Sequence, residues 1–141
     1  MTGALTMKAE FEKRACQLLR TADIFHGVQI VTVLVGVVCA RLFGNGIGVI
    51  ILFAQCVAVI IFLIVFSWKS DSLIRPRYPH LEPLKYQNRS RMDVYTPALR
   101  NAAILSDDTF TVKLLDIPRP IMLRAFAFLV IAVIADGVFS G

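Results

Sequence analysis

The chain has 141 residues and a net charge of +5, with 57% hydrophobic and only 18% charged residues. Soluble domains sit nearer about 45–50% apolar and about 25% charged, so an ordinary water-soluble domain is excluded as a description of the whole chain. Mean hydropathy is +0.69 and the pI about 9.5, yet the basic residues gather beside apolar blocks, as membrane topology requires, rather than forming a nucleic-acid patch.

Residues 4–22 predict an amphipathic helix. Ala4, Met7, Phe11, Ala15, Leu18 and Ala22 recur at spacings of three and four, with Glu10, Lys13, Gln17 and Arg20 on another face. Such a helix suits either the membrane interface or the surface of a neighbouring protein.

Residues 24–40 carry no formal charge and reach roughly 26 Å as a helix, enough to cross a bilayer. Arg41 closes this block, and Gly44-Asn45-Gly46 offers a tight turn, since these residues tolerate positive φ. Residues 47–68 are again uncharged, roughly 33 Å long, and end on Trp68 and Lys69 as an interfacial anchor. The two blocks predict a transmembrane helical hairpin.

Residues 69–119 change character. Pro76, Pro79, Pro83, Pro97 and Pro118 interrupt a polar stretch that contains all three tyrosines. The stretch 75–83 is expected to run extended, Thr96-Pro97 to open a short helix over 97–105, and 109–115 to form a strand or extended arm. Residues 121–139 supply a third apolar block of roughly 28 Å, opened by Pro120 and carrying Arg124 and Asp136.

The expected fold class is an all-α integral membrane protein: three transmembrane helices, the first two a tight hairpin, with an N-terminal amphipathic helix and a long irregular polar loop. Its segments are 1–23, 24–68, 69–119 and 120–141. Lys8, Lys13, Arg14 and Arg20 precede the first block and nine Lys and Arg lie in 69–119, while the hairpin turn carries Arg41 alone. The positive-inside rule therefore puts the N-terminus and the long loop on the inner side and the C-terminus opposite. No secretory signal is evident, because the first apolar block begins only at Ile24 and is too long for one.

Small residues four apart favour close helix packing in lipid: Thr32, Gly36 and Ala40 on the first span, Ala54 and Ala58 on the second. Charges at similar depth predict two pairs, Asp23 with Arg124 and Arg41 with Asp136, and Gln55 is a second candidate partner for Asp136. Arg75, Arg77, Lys85, Arg89 and Arg91, interleaved with Tyr78 and Tyr86, form a juxtamembrane basic cluster suited to anionic phospholipid such as cardiolipin. Asn88-Arg89-Ser90 matches a glycosylation sequon on the side expected to stay unmodified.

Cys16, Cys39 and Cys56 are scattered and odd in number, and His26 and His80 lie far apart. No P-loop, dinucleotide fingerprint, zinc spacing or catalytic triad pattern is present, so no catalytic, cofactor or metal residue is assigned. The expectation is a non-catalytic accessory subunit of a large membrane complex, with other subunits as partners and no nucleic acid. The mitochondrial inner membrane is the expected location, with a respiratory complex or the ATP synthase as host. The alternatives are a self-assembling membrane protein, either a small transporter or channel using Gln29, Gln55 and Asp136 or a curvature-forming hairpin, and a pigment- or quinone-binding subunit using His26 and the Phe-rich spans.

Overall fold

The computed structural model describes residues 2–87 and 91–139, apart from the side chains of residues 2, 45, 85–87, 91–93, 132–133 and 135–139. Every described element is helical. Helix α1 runs Thr2–Phe43 and α2 Asn45–Ile74; two 3₁₀ turns follow at Arg75–Arg77 and Pro79–Leu81. Then come α3 (Glu82–Gln87), α4 (Arg91–Leu105), α5 (Thr109–Asp116) and α6 (Pro118–Phe139).

The helical N-terminal segment and the first apolar block form one continuous helix rather than two. Nothing between residues 4 and 43 breaks a helix: there is no proline, and the two glycines, Gly27 and Gly36, weaken it only modestly. What changes near residue 23 is which faces are apolar, not the backbone. Helix α1 ends where Gly44 takes φ 98° and its N–H bonds the Ala40 carbonyl at 3.1 Å, the αL cap that glycine adopts without steric cost.

The described residues of 69–119 are mostly helical rather than an irregular loop. The stretch 75–83 is two 3₁₀ turns leading into α3, not an extended run. Pro76 is the second residue of its turn and Pro79 the first of its own, positions where a missing N–H costs nothing. The expected start at Pro97 is corrected as well: α4 begins at Arg91 and carries Pro97 in its interior. The segment 109–115 is helical, not a strand, because Asp108 caps it and its buried residues Thr111 and Leu114 are three apart.

The chain forms two compact units. The first comprises Met1–Thr21 and Phe66–Ile117. Its buried residues include Phe11 and Ala15 of α1, Ile74 of α2, Tyr78, and Leu114 of α5, with Tyr95, Leu99 and Ala103 forming one stripe along α4. Burying a side chain such as Ile74 or Leu114 contributes about 1.5–3 kcal/mol.

The second unit comprises Ala22–Val65 and Pro118–Gly141. Here α1 and α2 run antiparallel. Gly36 lies against Ile51, Ala40 against Gly48, and the Phe25 and Phe62 rings stack at 4.0 Å between centroids. Among the described residues, two helices are long and apolar enough to cross a membrane: the stretches Gly3–Phe43 and Gly46–Arg77. Helix α6 opens with Pro118, two residues before the expected start, and Pro120 sits third, still within the turn that lacks intrahelical partners.

Candidate functional site

The densest side-chain constellation among the described residues lies in the first unit, around Asp108. It begins with the α4–α5 junction. Asp107 adopts φ 56°, its N–H bonds the Ile104 carbonyl at 3.2 Å, and the Asp108 N–H bonds the Ala103 carbonyl at 2.9 Å. That paired bonding is a Schellman termination, with aspartate where glycine is usual. Asp108 then serves at once as N-cap of α5, its Oδ1 accepting the Thr111 N–H at 3.2 Å.

The other carboxylate oxygen gathers three further donors. Oδ2 accepts from Thr111 Oγ1 at 2.7 Å, Arg77 Nε at 3.0 Å and the Tyr78 hydroxyl at 3.1 Å. The Tyr78 oxygen also stands 3.0 Å from Ser106 Oγ. Arg77 lays its guanidinium over the buried Phe11 ring, 4.0 Å from the centroid, which ties α1 into the cluster. On the surface, Arg100 of α4 forks onto Asp116 of α5 at 3.2 and 3.3 Å.

Burial alone would raise the pKa of Asp108. The hydroxyl and amide of Thr111, the Arg77 charge and the Tyr78 hydroxyl outweigh it, and the carboxyl is held below the usual aspartate range. Tyr78 moves the other way: burial pushes it up, with the neighbouring Asp108 charge adding to the shift. Asp108 is 8% exposed with both oxygens engaged, so it is placed to lock elements together rather than to abstract a proton from a substrate.

In the second unit Gln55 Nε2 donates to the Gln29 backbone carbonyl at 3.3 Å, between α2 and α1. Both glutamines are buried. Arg124 of α6 donates from Nη1 to His26 Nδ1 at 2.7 Å, which fixes the imidazole proton on Nε2.

The residues singled out by the sequence fall as follows. Gly36 is buried and Thr32 and Ala40 half-buried, Ala40 facing Gly48; a Cβ at Gly48 would stand 2.6 Å from that of Ala40. Ala54 and Ala58 are exposed, and Gly48 is the small residue that α2 presents to α1 at this crossing. Arg124 meets His26, and no ion pair joins it to exposed Asp23. Arg41 is exposed, while the Asp136 side chain lies outside the described residues.

Of the juxtamembrane basic cluster, Arg75 bonds Asp71 at 3.0 Å and Arg77 bonds Asp108. The side chains of Lys85, Arg89 and Arg91, and the sequon at 88–90, lie outside the described residues. Among the described residues no group of three His, Cys, Asp or Glu is placed to hold a metal ion.

The Asp108 constellation was not anticipated. Its signal was present in Ser106-Asp107-Asp108-Thr109: a residue type that tolerates αL, then an N-cap aspartate ahead of a short apolar run. No protein-family model, curated protein or solved structure matches this chain.

Proposed function

We propose that the chain is an integral membrane protein acting as a non-catalytic structural subunit of a larger membrane assembly. The observation that carries this reading is the exposure of its apolar helices. Only 17% of an apolar 18-residue segment within each spanning stretch is buried, where the core helix of a soluble protein would be mostly covered. Leu34 on α1 and Phe53, Ile61 and Ile64 on α2 are all more than half exposed, and they require lipid or partner helices around them.

The accessory role draws support from the first unit, where Ile104 and Leu105 at the end of α4 are 54% and 88% exposed. Apolar side chains at a polar helix junction suit burial against another subunit. Helix α6 is read as a third crossing, with the N-terminus and the Asp108 unit on the inner side and the C-terminus opposite. We place the chain in the mitochondrial inner membrane, with a respiratory complex or the ATP synthase as its assembly.

Alkaline carbonate extraction, mild-detergent native electrophoresis and cysteine accessibility test the three layers separately. The chain should stay in the membrane pellet and migrate with a complex far above its own 15.7 kDa. In a cysteine-free background, Ser140→Cys should react only from the side opposite Thr2→Cys. Labelling of both from one side sinks the third crossing, and migration as an isolated monomer sinks the subunit role.

A further inference from the structure

We propose that a cleft of about 420 Å³ in the first unit binds the phosphate headgroup of an anionic lipid. One wall is the α1 face carrying Arg14, Gln17 and Leu18; the other is the α2 face carrying Trp68, Lys69 and Ser72. Positions three, four and seven apart share a helix face, so Arg14, Gln17, Leu18 and Thr21 line the cleft together. The volume is ligand-sized.

The chemistry of the lining is specific. Arg14 and Lys69 supply two cations, and the Gln17 carboxamide and Ser72 hydroxyl supply neutral donors. Lys69 makes no ion pair among the described residues, while Arg14 pairs with Glu10 one turn further along α1 and keeps further N–H groups available. The Thr21 hydroxyl donates to the Gln17 carbonyl at 2.8 Å. Leu18, Leu73 and the Trp68 ring give apolar walls for a glycerol backbone and the first methylenes of an acyl chain.

The site rests on the membrane reading, because its depth selects the ligand. Thr21 lies three residues before the first apolar block and Trp68 closes the second, so the cleft sits at headgroup level. A free phosphate offers the same charge but no apolar portion for Leu18, Leu73 and Trp68. Two of the five loop cations expected to serve lipid have protein partners: Arg75 bonds Asp71, and Arg77 bonds Asp108 and covers Phe11.

Native mass spectrometry of the delipidated full chain, titrated with phosphatidylglycerol, phosphatidylcholine or glycerol 3-phosphate, tests the assignment. The wild type should retain phosphatidylglycerol in preference to both others. Lys69→Gln should weaken that retention about fivefold and Arg14→Gln with Lys69→Gln roughly twentyfold, at about the contribution expected per interfacial cation. Arg75→Gln should leave it unchanged, with circular dichroism reporting the fold of every variant. Equal retention by wild type and a folded double variant overturns the site, and glycerol 3-phosphate binding as tightly as the lipid overturns the lipid assignment. Carbonate extraction of the same chains reads the membrane proposal independently: release into the supernatant removes both, whereas a pelleted chain with charge-insensitive retention removes this site alone.

Discussion

Arg77 and Asp108, thirty-one positions apart in sequence, meet Nε to Oδ2 at 3.0 Å, and the same guanidinium covers Phe11. One residue thus joins the N-terminal helix, the turn after the second apolar helix and the cap of α5. The carboxylate at its centre is the group on which the first unit depends most.

Asp108→Ala removes an N-cap, takes one of the Tyr78 hydroxyl's two partners and leaves Arg77 without this acceptor. The expected loss is about 2–3 kcal/mol of stability, combining a cap with hydrogen bonds to a buried charged group. Thermal unfolding in detergent, followed by circular dichroism, should record it. Tyr78→Phe, which loses one of the four donors, should cost about 1 kcal/mol.

The same carboxylate sets an acid limit. Its folded-state pKa lies below the unfolded value of about 3.9, so between the two the unfolded chain holds more protons and stability rises with pH. The contribution is complete above about pH 5 and is lost as pH falls through about 3.9 toward the folded value. Asp108→Asn should flatten this part of the profile, and an unchanged slope below pH 5 would refute the assignment.

Asp107 holds φ 56° with a Cβ that disfavours it. Asp107→Gly should therefore stabilise the α4–α5 junction, by about 0.5–1 kcal/mol once the added freedom of the unfolded glycine is set against the relieved strain. A melting temperature lower than wild type would show that the Asp107 side chain contributes more than its backbone costs.

At the hairpin, Gly48→Ala puts a methyl group 2.6 Å from the Ala40 Cβ, closer than two carbons approach. Separation of α1 from α2 should cost about 1–3 kcal/mol, as overpacking generally does. Ala40→Gly in the same chain should restore most of it. Steric trapping or denaturant unfolding in micelles measures both; a double variant no better than Gly48→Ala would mean the helices do not meet through these residues.

Much of the hairpin was legible in the sequence because two signals agreed there: long uncharged blocks and a Gly-Asn-Gly turn whose first glycine, Gly44, takes the positive φ. The polar half misled through its prolines. Pro76, Pro79, Pro83, Pro118 and Pro120 all fall in the first three positions of a helix or turn, where no N–H is required, so they start helices instead of preventing them. Only Pro97 sits inside one. The Asp108 cluster was hidden for a different reason. Its partners Phe11, Arg77 and Tyr78 come from distant segments, and local pattern carries no information about which surface charge finds which buried acceptor. Ala54 and Ala58 show the same limit: both are exposed in the single chain, and a spacing of four marks a shared face but not which helix meets it.

Asp107 and Asp108 between them finish one helix and start the next, with no spare residue at the corner. Such a joint has a fixed phase. Adding or removing one residue there would turn α5 by about 100° about its axis, swinging Leu114 from the interior toward water and Arg100 out of reach of Asp116. The corner should therefore tolerate substitutions in kind but no change in length, which makes the spacing between Ala103 and Thr111 the most rigid measure of distance in this half of the chain.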